Sequence, residues 1–320
     1  MRPRVAILEA SHWHVPLYLE ALKEQTDVIA VSDRDPEVAG RIAAVFAARP
    51  FDDWGAALDA PGVDLVFAFG RHREMPDIAR SIIERGIPFS IEKPGGLSSA
   101  QIREIADLAD TRSAVATVPF VQRFGPLAEL LRSIGRPDHV AFRFIAGPPS
   151  RYPKAGCAWM LDPAEAGGGC FVNLGSHFVD LFSLVIEEPI TTVVGRVHRR
   201  AHGTPIDDHA AVLLESASGR SALIETGYLF PDSPRKREIS YYASSPEGYL
   251  SVGDDGTAVL TTASGASHVE RVNVDSDPLY GLFVRRVVSA LGENFAGLPT
   301  LRDLEYVMRV VDKVYGRSGS

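Results

Sequence analysis

The 320-residue sequence predicts a doubly wound α/β domain with a parallel sheet over residues 1–120. An α+β domain with an open, mostly antiparallel sheet follows over residues 121–320. Three observations predict this. Short apolar runs alternate with helical segments through the first third of the chain. Strand-like runs follow one another without helices from residue 190 to about 271. The length itself favours two domains, at about 100–200 residues each.

In chain order, residues 5–8, 28–31, 63–69, 88–91 and 114–118 read as buried parallel strands, because each is a short, nearly continuous apolar run. Helices are predicted between them at 15–24, 36–46, 75–85 and 99–109. Asp35 before Pro36 is an N-cap followed by proline at the first helical position, where its missing N–H costs nothing. Ser98 with Gln101 has the spacing of a capping box. In the second domain, 138–145 reads as a strand, Asp162-Pro163 opens a helix, and 171–186 is a long buried helix. Strands follow at 190–198, 210–216, 221–228, 237–242, 248–252 and 258–262, separated by turn residues such as Ser218-Gly219 and Asp254-Asp255-Gly256. Two closing helices, 278–291 and 301–315, begin at the caps Asp277 and Thr300. The last helix is a candidate to pack back on the first domain, and the tail 316–320 is expected to fray.

Composition excludes several classes. Hydrophobic residues at 45% and charged residues at 23% exclude disorder of the whole chain. A net charge of −8 argues against nucleic acid or anionic membrane as partner. No uninterrupted apolar run approaches about 18 residues, so no membrane span is expected. Two cysteines, Cys157 and Cys170, exclude a disulfide framework and point to a cytoplasmic protein. The first apolar run is too short for a secretory signal.

The turn after the first strand is where a dinucleotide-binding domain carries three glycines. Here that register reads Glu9-Ala10-Ser11-His12-Trp13-His14, without a glycine. Ser11 is a donor for a phosphate, His12 and His14 are sources of positive charge, and the helix start behind them offers free N–H groups. His12, Trp13 and His14 read equally well as plain loop residues or as substrate-side residues. Asp33, at the end of the second strand, is placed to bind a ribose hydroxyl, and the adjacent Arg34 to tolerate a 2′-phosphate. NAD and NADP are therefore both open.

Lys93 follows the 88–91 strand within Glu92-Lys93-Pro94-Gly95-Gly96, at the sheet edge where α/β domains bind ligands. There a lysine can hydrogen-bond a hydroxyl or carbonyl and stabilise a developing alkoxide. Behind Gly167-Gly168-Gly169, Asn173, His177 and Asp180 share one helical face. Polar groups on an otherwise apolar helix are costly to bury unless they act or pair. The histidines offer no specific metal-ligand spacing, and no metal is expected.

Together these residues resemble the glucose–fructose oxidoreductase/inositol dehydrogenase (Gfo/Idh/MocA) family. The resemblance rests on Glu92-Lys93-Pro94, on Pro119-Phe120-Val121-Gln122-Arg123-Phe124-Gly125-Pro126, on Trp159-Met160-Leu161-Asp162-Pro163, and on the spaced block from Gly167 to Asp180. It implies a Rossmann domain, an open-sheet C-terminal domain, NAD or NADP, and hydride transfer on a sugar, polyol or related hydroxy compound. It also implies a homodimer or homotetramer formed through the C-terminal sheet. By it Lys93 and His177 are the catalytic pair, assisted by Asn173, which stands where the family often has Asp. Arg123 and Trp159, with Asn173 and His177, are implied on the substrate side. Ser11, His12, Trp13, His14, Asp33, Arg34, Arg71, His72, Glu92 and Lys93 are implied on the cofactor side. The sequence departs from the family at Glu9, Ser11 and His14 and at Gly70-Arg71-His72-Arg73, all toward the cofactor. A non-catalytic ligand sensor on the same fold is therefore an alternative, as is an enzyme that retains NAD for glycoside cleavage or lyase chemistry. The loops 147–156 and 228–237, with Arg151, Tyr152, Lys154, Tyr228, Arg235 and Lys236, suit a hydroxylated or acidic substrate, and equally a solvated loop or a subunit contact.

Overall fold

The computed structural model describes residues 2–317. The first sheet comprises β1 (Arg4–Leu8), β2 (Asp27–Ser32), β3 (Arg49–Phe51), β4 (Leu65–Ala68), β5 (Phe89–Ile91) and β6 (Ala116–Thr117). Its order is β3-β2-β1-β4-β5-β6, parallel throughout. The order reverses between β1 and β4, and a crevice opens there at the carboxyl ends of the strands. The sequence reading missed β3. Pro50 sits at its centre, which a sheet tolerates at an edge, where no partner needs the missing N–H.

The predicted helix 15–24 is divided into a 3₁₀ turn, Val15–Leu17, and a helix, Leu19–Gln25. Asp35 caps Pro36–Phe46, accepting from Glu37 N at 2.9 Å. The box at Ser98 is only half made. Ser98 accepts from Gln101 N at 3.4 Å, but the Gln101 side chain accepts from Leu97 N at 2.7 Å. Two short helices, Trp54–Leu58 and Pro126–Ser133, were not predicted.

The second sheet comprises β7 (His139–Ala146), β8 (Ile190–His198), β9 (His209–Ser216), β10 (Ser221–Gly227), β11 (Arg237–Ser245), β12 (Gly248–Val252), β13 (Thr257–Thr262) and β14 (Ser267–Arg271). The order is β14-β13-β12-β11-β7-β10-β9-β8. Every pair is antiparallel except β7 with β10. The earliest strand thus lies at the centre, between strands formed much later. One face packs against helix Ser176–Ile186, where Phe142 stacks on Phe178 at 5.0 Å and Tyr241 lies 5.7 Å from the same ring. By length and composition the stretch Pro163–Ile186 would suffice to cross a membrane, contrary to the expectation from uninterrupted runs. Its most apolar window is 83% buried inside the protein, as a core helix is.

Both closing helices return to the first domain. Asp277–Ala290 packs on Leu19–Gln25, and Leu301–Tyr315 packs on Ser99–Arg112 as well as on β8. Tyr280, Phe283, Val284 and Val287 complete one apolar cluster with Val5, Ile7, Tyr18, Leu22 and Phe67. Each such buried side chain contributes about 1.5–3 kcal/mol. Thr300 and Asp303 form a full capping box. Asp277 does not cap its helix: Ser276 holds that position, and the Asp277 carboxylate pairs with Arg237 at 2.9 and 3.0 Å. Gly316 ends the last helix at φ +66°, and the remainder of the tail expected to fray lies outside the described residues from 318 onward.

Candidate active site

Lys93 lies two residues past β5 and is almost fully buried at the domain boundary. Its Nζ donates to the main-chain O of Asn173 at 2.7 Å and to its Oδ1 at 2.8 Å. Asn173 belongs to a π-helical turn, Phe171–Gly175, at the head of helix Ser176–Ile186. Such turns re-aim side chains and frequently occur at functional sites. The glycines before it have a packing cause. A Cβ on Gly169 would stand 2.1 Å from Asp207 O. Asp207 accepts from Gly169 N at 2.6 Å, Phe171 N at 3.0 Å and Tyr315 OH at 2.8 Å, fixing the helix start.

Asn173 Nδ2 donates to Tyr152 OH at 2.7 Å and Tyr228 OH at 3.2 Å, which orients Oδ1 toward Lys93. Lys93, Asn173 and His177 line a cavity of about 470 Å³ together with Trp13, His14, Gln122, Arg151 and Tyr280. His177 Nδ1 is buried without a hydrogen-bond partner. Burial, and then the nearby Lys93, hold the His177 imidazole well below the usual histidine range, so it is neutral. Burial lowers Lys93 to about 8, against the opposing pull of Glu92. Glu92 lies behind the cavity wall: it accepts from Tyr18 OH at 2.9 Å and from Lys93 N at 3.2 Å, and faces His14 Nδ1 at 3.2 Å.

A second cavity, about 660 Å³, runs along the carboxyl edge of β1, β2 and β4 and is lined by Glu9, Ser11, His12, Arg34, Arg41, Arg71 and Trp159. Lys154 and Ala155 line both cavities, so the two adjoin. This trough fits an extended dinucleotide. It lies at the switch point of the sheet. It holds three arginines, of which Arg34 pairs with Glu9 and Glu74 and Arg71 loosely with Glu165 at 3.7 Å, and His12 Nε2 is buried there with no partner. Ser11, His12 and Arg71 would hold the phosphate portion, with Trp13 and His14 beside the nicotinamide portion.

The predicted cofactor residues thus divide. Ser11, His12, Arg34 and Arg71 line the trough; Trp13, His14 and Lys93 line the first cavity; Asp33, His72 and Glu92 line neither. Asp33 is fully buried, and its carboxylate accepts from Ser11 N at 2.6 Å and Asp35 N at 2.9 Å, so it closes the turn rather than facing a ribose. His72 binds Ala166 O at 2.7 Å across the domain seam. His12 and His14 add no positive charge, since burial lowers both well below the ordinary histidine range. Glu9 adopts the left-handed conformation, φ 56°, that a glycine would take, and Arg34 pairs with its carboxylate at 3.2 Å and with Glu74.

On the substrate side, Asn173 and His177 meet Lys93, whereas Trp159 stands in the trough and Arg123 lines neither cavity. Arg123 ion-pairs with buried Asp180 and, at 3.1 Å, with Asp303. Burial raises Asp180 to about 6 despite that pairing. Asp180 stays one turn from His177 on the same helix but lines neither cavity, its carboxylate being taken up by Arg123. Sequence reasoning missed Gln122 and Tyr280 as lining residues. Tyr280 arrives from a helix more than 180 residues downstream of Lys93, and no local pattern marks it. Among the described residues no group of three or more His, Cys, Asp or Glu gathers as a metal site.

A doubly wound domain that carries a buried lysine at its crevice, facing an asparagine and a histidine from an open-sheet domain, defines a dinucleotide-dependent oxidoreductase. The chain belongs to the Gfo/Idh/MocA family of NAD-binding oxidoreductases. Residues 11–120 match the "Oxidoreductase family, NAD-binding Rossmann fold", and residues 128–241 match the "GFO/IDH/MocA C-terminal domain". It is 29% identical to an inositol 2-dehydrogenase of Streptomyces avermitilis over 82% of this chain and 76% of that protein. It is 26% identical to the rhizopine catabolism protein MocA of Rhizobium meliloti over 67% of this chain and 68% of that protein. Among solved structures, levoglucosan dehydrogenase in complex with NADH and levoglucosan superposes with a TM-score of 0.85 at 15% identity, covering 99% of this chain and 98% of that one.

Proposed function

We propose that the chain oxidises a secondary hydroxyl of a small polyhydroxylated compound, with Lys93 as the proton acceptor and NAD as the hydride acceptor. The observation that carries this reading is the pair of hydrogen bonds from Lys93 Nζ to Asn173. A neutral amine has two N–H groups and one lone pair. With both N–H groups held by Asn173, the lone pair is left for a substrate hydroxyl. With its pKa at about 8, this amine can take a proton in oxidation and return one in reduction near neutral pH. His177, neutral, hydrogen-bonds the same oxygen and fixes its position. The nicotinamide, when bound, supplies the hydride acceptor. The relatives act on compounds of this class by name, inositol and levoglucosan among them.

NAD is favoured over NADP by charge. Arg34 is engaged by two carboxylates, so a 2′-phosphate in that corner would meet Glu9, Glu74 and Asp35 against one cation, Arg41, that makes no ion pair among the described residues. The test is thermal unfolding with NAD⁺, NADH, NADP⁺ and NADPH in turn. A ligand at 100 times its dissociation constant stabilises the fold by about 2.7 kcal/mol. A shift with the NAD pair alone is the expected result. A shift with none of the four removes the enzyme reading and leaves a ligand sensor.

The outer face of the second sheet carries a row of apolar side chains in register, Val194, Leu213, Leu223 and Tyr242, with Ala141 between the last two. Val194 is 60% exposed and Leu213 42%. A second copy of the chain is the occupant proposed for this face. Leu223→Glu is expected to give monomers by light scattering, and an unchanged mass would sink the assignment.

A further inference from the structure

Among the described residues, two cations in the catalytic cavity make no ion pair within 4.0 Å, although Glu92 acts on Lys93 and Asp277 on Arg151 from farther off, and their arrangement bears on what the substrate is. Three cations at the cavity wall are paired: Lys154 with Asp232 at 2.9 Å, Lys236 with Asp277 at 3.6 Å, and Arg237 with Asp277 at 2.9 Å. Arg151 is not. Among the described residues no carboxylate lies within 4.0 Å of its guanidinium. It donates to Gly147 O at 2.5 Å and to Tyr152 OH at 3.0 Å, and its Nε is buried without any partner. Its charge lies 4.8 Å from the ring centres of both Tyr152 and Tyr228, and 5.9 Å from that of Trp13. Aromatic faces hold and orient a guanidinium but do not neutralise it.

The second is Lys93, held by the uncharged Asn173 and cationic whenever it carries the proton that it takes from and returns to substrate. A carboxylate at position 173 would neutralise Lys93 and repel an anion from the cavity floor; asparagine does neither. Lys93 and Arg151 are also tied into one chain of hydrogen bonds: Lys93 to Asn173 Oδ1 at 2.8 Å, Asn173 Nδ2 to Tyr152 OH at 2.7 Å, and Arg151 to Tyr152 OH at 3.0 Å. A shift in Arg151 is therefore felt by the group that orients the catalytic amine. Enclosed charges without partners are costly, and the cost falls when a ligand brings the opposite charge. The chain as a whole carries −8, so the positive cavity is a local feature and not the average of the surface.

We propose that the substrate is a polyhydroxylated carboxylic acid of the aldonate or uronate type, whose carboxylate binds Arg151 while a secondary hydroxyl binds Lys93 and His177. This rests on the dehydrogenase reading above and names its substrate class. The carboxylate is a spectator: the C–H and O–H bonds of the hydroxyl carbon break, hydride passes to NAD⁺, the proton passes to the Lys93 amine, and a ketone forms. A planar carboxylate matches the planar guanidinium, whereas a tetrahedral phosphate of a sugar phosphate presents the same charge with a different shape.

The experiment measures thermal unfolding of the chain saturated with NADH. The probes are D-gluconate, D-glucuronate and D-galacturonate, the neutral D-glucose and D-galactose, and D-glucose 6-phosphate. The stabilisation by NADH alone reports on the cofactor reading independently. At least one acid is expected to raise the melting temperature and bind about ten- to a hundredfold more tightly than its neutral counterpart, the range of a hydrogen bond to a charged group. Arg151→Gln is expected to abolish that preference, and Arg151→Lys, which keeps the charge, to retain part of it. Stabilisation by none of the acids, equal stabilisation by neutral sugars, or stabilisation by the phosphate ester alone overturns the proposal. So does a preference that survives in Arg151→Gln.

Discussion

The amine of Lys93 is held by a single residue, Asn173, through its main-chain oxygen at 2.7 Å and its side-chain oxygen at 2.8 Å. Lys93 comes from the edge of the first sheet and Asn173 from a helix turn 80 residues later in the chain. The bond therefore joins the two domains at the point where the chemistry is proposed. It also fixes the amine without lending it a negative charge.

Removing either member of the catalytic pair should leave a folded, slow enzyme. Lys93→Met is expected to lower turnover by about 10²–10⁴, the scale of a lost acid–base group, and His177→Ala, which removes the hydrogen bond that positions the same oxygen, to lower it as well. Circular dichroism should show an unchanged fold. Normal turnover in the His177 variant would remove that residue from the mechanism.

The pH profile follows from the sign of the Lys93 shift. Burial lowers the amine to about 8, so the neutral base grows in as pH rises through that value. Oxidation should accelerate through pH 8 and reduction should slow. Asn173→Asp places a carboxylate where Oδ1 now accepts from Nζ, and an opposite charge at that distance favours the ammonium form. The rising limb should then move to higher pH; a limb that stays in place would show that another group titrates.

Glu9 brings both strain and a negative charge to the dinucleotide trough. A non-glycine residue in the left-handed region costs roughly 1–2 kcal/mol. Glu9→Gly is expected to bind NAD⁺ several-fold more tightly by calorimetry, with no loss of melting temperature. Weaker binding would mean that the Glu9–Arg34 pair shapes the site rather than opposing it.

Arg123 is predicted to act on stability alone. Asp180 is buried and relies on Arg123, so Arg123→Ala leaves a carboxylate uncompensated in the interior. Breaking a buried pair costs about 3–5 kcal/mol. Urea unfolding should show that loss while KM stays the same. A raised KM with full stability would return Arg123 to the substrate side.

The architecture was legible from the sequence because both domains announce themselves by period: unbroken apolar runs for the parallel sheet, successive alternating strands for the open one. The β7–β10 parallel pair was not, since register between distant strands leaves no local mark. Nor were β3 and the helix Pro126–Ser133. Lys93 and the glycine–histidine block were recognisable because the chemistry and the spacing coincide. Asp33, His72, Glu92 and Arg123 lie off both cavities for a common reason. Their positions along the chain are those of contact residues, but each is held by a protein partner that only the tertiary structure supplies: Ser11 N, Ala166 O, Tyr18 OH and Asp180. Arg151 had been noted only as part of a cationic loop, and its lack of an ion pair is visible only once its neighbours are paired.

The return of the two closing helices governs how the protein is made. Synthesis runs from the N-terminus, and a domain folds on the ribosome once its own segments have emerged. Here the first sheet is complete by Thr117, yet the apolar surface that receives Tyr280, Phe283 and Val287 stays bare until those residues have emerged. The nucleotide-binding half must therefore wait, partly uncovered, while the whole second domain is translated. A stop codon at position 276 would leave both sheets intact in sequence and strand the first one without its cover.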